Sequence, residues 1–68
     1  MLRIKRDAIQ LEMARQKMTL AELCQKSGLS RYGVNKIMND NRPVRPKTAG
    51  SLADALGIPV EQLIDMED

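Results

Sequence analysis

The sequence predicts a small all-α domain that packs five short helices around one core. Among its 68 residues only Tyr32 is aromatic, while the helix-favouring Leu, Met, Ala, Lys, Gln and Glu are abundant. Apolar residues recur three and four positions apart, in segments that are separated by turn-forming residues. A chain of this length forms one domain with a simple core. We expect that domain to have an ordered core over about residues 4–65.

The first two helices are predicted from periodicity and capping residues. Helix one runs from about residue 7 to residue 17, and a start as early as Ile4 is an alternative. Helix two follows Thr19, a good N-cap residue, and Glu22 three positions later completes a capping-box pattern. Gly28 suits the left-handed conformation in which many helices end.

The third helix is predicted over residues 31–38, with Ser30 as its N-cap. Val34 and Ile37 lie three positions apart, on the face that we expect to turn inward. Residues 39–46 are rich in Asn, Asp and Pro and are predicted to form a loop.

The last two helices complete the predicted core. One covers about residues 48–56 and stops at Gly57, and the other covers about residues 60–64. Pro59 suits the first turn of that final helix.

Charge is divided unevenly along the chain. All eleven Lys and Arg residues lie within residues 1–47 beside four acidic residues, whereas residues 48–68 hold five acidic residues and no basic one. The basic part is a candidate surface for a polyanion, and the alternative is an ordinary solvated face.

Several functional classes are unpromising. The chain has no histidine and one cysteine, Cys24, so it offers neither a zinc ligand set nor a nucleophile–base pair. We therefore expect no enzyme, no metal, no cofactor and no small-molecule ligand. There is no apolar run long enough for a membrane span and no signal peptide, and we expect a cytoplasmic protein without a membrane partner.

The order Leu23-Cys24, Gly28-Leu29-Ser30, Val34 and Ile37 resembles the helix-turn-helix of the phage repressor and Cro family, the xenobiotic-response-element-like regulators. The stretches around Arg45-Pro46 and over residues 51–64 resemble the final two helices of that family. The resemblance implies a five-helix DNA-binding fold with helices two and three as the motif. It also implies a sequence-specific transcriptional regulator of double-stranded DNA in a phage or mobile-element setting.

The resemblance also implies which residues contact DNA. Residues 30–38 become the recognition segment for the major groove, with base contacts expected from Arg31, Tyr32 and Lys36 and from Asn35 as a further candidate. Gly33 has two readings: either a side chain there would hold the helix away from the groove, or the site is exposed and unoptimised. Contacts to phosphates or the minor groove are expected from Ser30, Asn39, Arg42, Arg45 and Lys47.

Three features depart from the family pattern. Leu20 stands where many members have Gln, so a contact to phosphate and base is missing. Ser27 stands where the family usually has an apolar residue, and we expect this replacement to anchor helix two less tightly. Met13 and Met38 replace a buried Arg–Glu pair, and we expect them to contact each other.

The chain could instead be a protein-interaction module, such as an antitoxin-like partner or an anti-regulator that binds through its acidic last helix. If it forms a weak homodimer, especially on DNA, the surface near residues 56–58 and the last helix is the candidate contact.

Overall fold

The computed structural model of the chain describes residues 2–40 and 42–65, and the tail beyond the expected core lies outside the described residues. Five helices surround one core, as predicted, and a minor two-stranded sheet is added. None of the helices in the described part combines the length and apolar character that a membrane crossing requires. In chain order the elements are β1 (Arg3–Ile4), α1 (Arg6–Gln16), α2 (Leu20–Ser27), α3 (Arg31–Asp40), α4 (Pro46–Leu56), α5 (Val60–Leu63) and β2 (Ile64–Asp65).

Both predicted ends of α2 are confirmed. The Thr19 hydroxyl accepts a hydrogen bond from the backbone N–H of Glu22 at 3.1 Å, and the Glu22 carboxylate accepts one from the N–H of Thr19 at 2.9 Å. Two of the backbone donors at the helix start are thereby satisfied. Gly28 ends α2 with φ 75°, a conformation that glycine adopts without steric strain.

The two-stranded sheet joins the ends of the described chain and was not predicted. Arg3 pairs with Asp65 and Ile4 with Ile64 in antiparallel register. The alternative start of α1 at Ile4 and the predicted end of α5 at Ile64 are therefore wrong, because both residues are extended. Two-residue strands far apart in sequence have no periodicity of their own, and here the pairing buries both isoleucines.

The predicted loop over residues 39–46 is too long at both ends. The third helix, predicted to end at Met38, continues to Asp40, and α4 begins at Pro46 instead of Thr48. Proline fits the first turn of a helix because the N–H that it lacks would have no partner there. The shorter connection keeps its two basic residues, Arg42 and Arg45, close to the ends of α3 and α4.

The core gathers apolar side chains from every helix. Val34 and Ile37 of α3 are buried, as predicted, and Cys24 is a packed thiol with 7% exposure. Helix α4 contacts α1, α2 and α5. The largest fully buried side chains are Ile9, Leu23, Val34, Leu52, Leu56 and Leu63.

Two side chains of α1 bind the carboxyl ends of other helices. The Arg6 guanidinium donates to the carbonyl of Met38 in α3 at 2.9 Å, and the Gln16 amide donates to the carbonyl of Leu56 in α4 at 2.6 Å. The last four carbonyls of a helix have no partner within it, so these bonds satisfy acceptors that the core partly shields from water. They also tie α1 to both helices.

We expect Leu63→Ala to lower the free energy of unfolding by about 2–5 kcal/mol, because Leu63 is fully buried and its loss leaves a cavity. The matched control is Leu11→Ala, since Leu11 is 56% exposed and its truncation should change stability by about 0.5 kcal/mol or less. Urea unfolding of the three proteins measures both values. Similar losses for the two variants would contradict this account of the core.

The capping box predicts a pH dependence. The N–H of Thr19 and then its hydroxyl lower the pKa of Glu22 below its usual 4.5, and Lys26 adds to this effect. A lowered folded-state pKa means that the charged carboxylate stabilises the fold above the unfolded-state value, and that this contribution is lost as the pH falls through the folded-state value. Glu22→Gln should therefore be less stable than wild type at neutral pH, with a difference that disappears in acid. Thermal unfolding across pH, with NMR titration of Glu22, checks this; a difference that does not vary with pH would refute it.

Candidate nucleic-acid interface

Helices α2 and α3 are joined by a short turn with defined hydrogen bonds. The N–H of Gly28 donates to the carbonyl of Cys24 at 3.0 Å. The Ser27 hydroxyl donates to the same carbonyl and accepts from the N–H of Leu29, both at 3.3 Å. Ser27 was expected to anchor α2 less tightly for want of an apolar contact, but its hydroxyl bonds to the turn instead. These contacts set the direction in which α3 leaves the turn.

The outer face of α3 carries the predicted base-reading side chains. Arg31, Tyr32 and Asn35 are exposed, with Tyr32 at 73%, and Lys36 is partly exposed. At 3.6 residues per turn, Tyr32 and Asn39 lie nearly opposite the buried face of the helix. The structure thus brings all four predicted readers onto one polar surface.

Ser30 caps α3, and this contact explains Gly33. The Ser30 hydroxyl accepts a hydrogen bond from the N–H of Gly33 at 3.0 Å. A Cβ atom at position 33 would lie 3.2 Å from that hydroxyl oxygen, closer than most side chains tolerate. Glycine therefore leaves room for the cap, a reason that neither reading of the sequence contained.

Lys36 does not stand alone on this surface. Its ammonium lies 3.2 Å from the carboxylate of Asp40 and 5.7 Å from the centre of the Tyr32 ring. The Arg42 guanidinium approaches the same carboxylate at 3.6 Å. We call Tyr32, Lys36, Asp40 and Arg42 the Asp40 cluster. Sequence reasoning missed Asp40 because it placed the residue in a loop; helical spacing of four from Lys36 was the available signal.

The remaining predicted phosphate contacts are exposed near helix ends. Asn39 lies in the last turn of α3, Arg45 is the N-cap residue of α4, and Lys47 lies in the first turn of α4. Arg42 and Arg45 flank the buried Val44, whose backbone pairs with Leu2. This pairing holds the connection between α3 and α4 against the residue that precedes β1.

The departures from the family pattern are accommodated by packing. Leu20 is half-buried and packs against the core, so position 20 offers no polar contact. Met13 and Met38 are also half-buried and pack against the core. Arg6 links α1 to the end of α3 through its hydrogen bond to the carbonyl of Met38. A direct Met13–Met38 contact stays a prediction.

A tight turn between two helices, with the second helix buried on one side and polar on the other, is the geometry of a helix-turn-helix motif. The family model of the Cro/C1-type HTH DNA-binding domain matches residues 8–68, and the chain belongs to this family. It is a DNA-binding regulator whose partner is double-stranded DNA. The expected family and fold class are thereby confirmed.

A solved structure supports the same fold. The chain is similar to the restriction-modification controller protein C.AhdI from Aeromonas hydrophila, with a TM-score of 0.74 and 23% sequence identity. The match covers 84% of this chain and 86% of the other. No curated protein sequence matches the chain.

The Ser30–Gly33 contact predicts unequal effects of two glycine substitutions. Gly50→Ala in α4 meets open space and should stabilise the protein by about 0.5–1 kcal/mol, through helix propensity alone. Gly33→Ala should gain less, or lose stability, because the new methyl group crowds the capping hydroxyl. Chemical unfolding measures both. In a Ser30→Ala background the two substitutions should become equal, and a shortfall at position 33 that persists there would reject this explanation.

Proposed function

We propose that the protein recognises a specific duplex sequence by placing the N-terminal half of α3 in the major groove. The observation that carries the proposal is the division of α3 into two faces. Val34 and Ile37 bury one face, while Arg31, Tyr32 and Asn35 extend from the other into solvent. The major groove admits one α-helix, and its base edges present a distinct donor and acceptor pattern for each base pair.

Each reader has a chemistry that suits one base. Arg31, the first helical residue, can donate two hydrogen bonds to guanine O6 and N7, and Asn35 can bond to adenine N6 and N7. The exposed Tyr32 ring can contact a thymine methyl group. Lys36 can donate to guanine from its position beside Tyr32. Because Leu20 offers no polar contact, we assign recognition mainly to α3.

Phosphate contacts are assigned to both ends of α3 and to the start of α4. Ser30 and the first amides of α3 can bind one phosphate, since the N-terminal N–H groups of a helix lack internal partners. Asn39 and Arg42 follow at the other end of α3, and Arg45 and Lys47 begin α4. Arg45 or Lys47 would follow the backbone or reach the minor groove. Such contacts orient a protein on DNA without reading its sequence.

Two copies bound side by side would contact two half-sites and so read twice as many base pairs. A pair of half-sites about one helical turn, roughly 34 Å, apart would place both α3 helices on one side of the duplex. For the contact between copies we propose the surface around α5. Leu56 is fully buried and cannot take part in such a contact. The half-buried Ile58 and Val60 are the apolar side chains that this surface can offer to a second copy.

Selection of bound sequences from a random duplex pool tests the proposal, with two arginine variants as probes. Arg31→Ala should weaken binding to the selected duplex by about 1–3 kcal/mol and relax the choice of one base pair. Arg45→Ala should weaken binding to all duplexes alike and reduce the slope of log K against log salt by about 1. Fluorescence anisotropy at several salt concentrations measures both.

The matched control is Asp54→Asn on α4, which is exposed and is not among the residues proposed to contact DNA or the second copy. It should leave DNA affinity unchanged or slightly raised. Failure to select any duplex, with neither arginine variant altering affinity, would contradict the proposal. It would favour the interaction-module alternative, in which substitutions at Glu61 or Asp65 abolish capture of a protein partner.

A further inference from the structure

The carboxylate of Asp40 lies close to two basic side chains to which the proposed function assigns contacts with DNA. It is 3.2 Å from the Lys36 ammonium and 3.6 Å from the Arg42 guanidinium. Lys36 also lies over the Tyr32 ring, and positions 32, 36 and 40 follow one another along one side of α3. An acidic side chain therefore stands beside the surface that approaches the polyanion.

Helix stability does not account for this carboxylate. An anion at the carboxyl end of a helix interacts unfavourably with the helix dipole. The pair places its base four residues before its acid, which is the weaker of the two orientations. The side chains of Lys36 and Asp40 are both 39% exposed, and ion pairs at such exposure contribute little to folding.

We infer that Asp40 is a specificity-determining residue. Its carboxylate weakens the sequence-independent attraction of Lys36 and Arg42 to DNA. This inference rests on the proposed function. On an unselected duplex the two basic side chains attract phosphates less, because the single negative charge of Asp40 offsets one of their two positive charges. The carboxylate itself is repelled by any phosphate that comes within about 8 Å, the screening length at physiological salt.

On the selected duplex the same contacts help Lys36. An ammonium group has three N–H donors, so one bond to Asp40 leaves two for guanine O6 and N7. Asp40 and the Tyr32 ring hold the Lys36 side chain along the helix, so less conformational entropy is lost when it binds. Asp40 thus acts as a positioning residue through Lys36.

The test is Asp40→Asn, measured on the selected duplex and on a scrambled duplex of the same composition across a range of salt. Freeing Lys36, Arg42 or both from the Asp40 carboxylate should strengthen binding to the scrambled duplex by about five- to thirtyfold near physiological salt. It should also steepen the slope of log K against log salt for that duplex by about 1–2. Binding to the selected duplex should strengthen less, so the ratio of the two affinities falls. Asp40→Glu, which keeps the charge, should restore most of the ratio.

Two further variants separate this role from general charge. Asp54→Asn removes an exposed carboxylate from α4 and should leave the ratio unchanged. Lys36→Gln should weaken binding to the selected duplex more than to the scrambled one. In that background Asp40→Asn should lower the ratio less, because only Arg42 is then released.

The outcomes distinguish the inference from the proposed function. If wild type prefers one duplex but Asp40→Asn strengthens both duplexes equally, or neither, the inference is wrong and the proposed function stands. If wild type prefers no duplex, both are wrong. Thermal unfolding of Asp40→Asn should match or exceed that of wild type; a marked loss of stability would show that the carboxylate is structural and would also overturn the inference.

Discussion

The candidate interface depends on how α3 is attached to the rest of the molecule. Only Val34 and Ile37 of this helix are buried, so the apolar strip that holds it is narrow. The bond from Arg6 to the carbonyl of Met38 adds a second attachment near the carboxyl end of the helix, and the cationic guanidinium is favourable there. With the capped turn at its start, α3 is fixed at both ends. Its polar face is therefore presented in one orientation, which base recognition requires.

The small sheet contributes to the same attachment from the other end of the chain. Strand β1 pairs with β2, and the N–H of Lys5, the residue between β1 and α1, donates to the carbonyl of Leu63 at the end of α5 at 2.8 Å. Arg6 follows directly, as the first residue of α1. The pairing at the chain ends therefore sets where α1 begins, and with it the position from which the Arg6 side chain reaches α3. A contact remote from the recognition face thus helps to orient it.

The features that can be predicted from the sequence are those that depend on residues close to each other in the chain. The capping box of Thr19 and Glu22, the left-handed Gly28 and the buried spacing of Val34 and Ile37 all depend on residues within a few positions of each other. The β1–β2 pairing and the Arg6–Met38 bond join distant residues and leave no local pattern. For the interface, helical spacing identified which side chains face outward. It did not reveal the ion pairs of Lys36, since residues 39 and 40 were assigned to a loop.

These ion pairs bear on a problem that every small basic DNA-binding domain faces. Specificity is a difference between two affinities, and phosphate attraction raises both. In the proposed mode of binding, α2 adds little base recognition to offset that attraction, because Leu20 packs against the core. A carboxylate beside Lys36 and Arg42 lowers the affinity that all sequences share, while leaving donors free for the right base. An acid on the helix that we propose enters the major groove therefore favours discrimination between sequences at the expense of affinity.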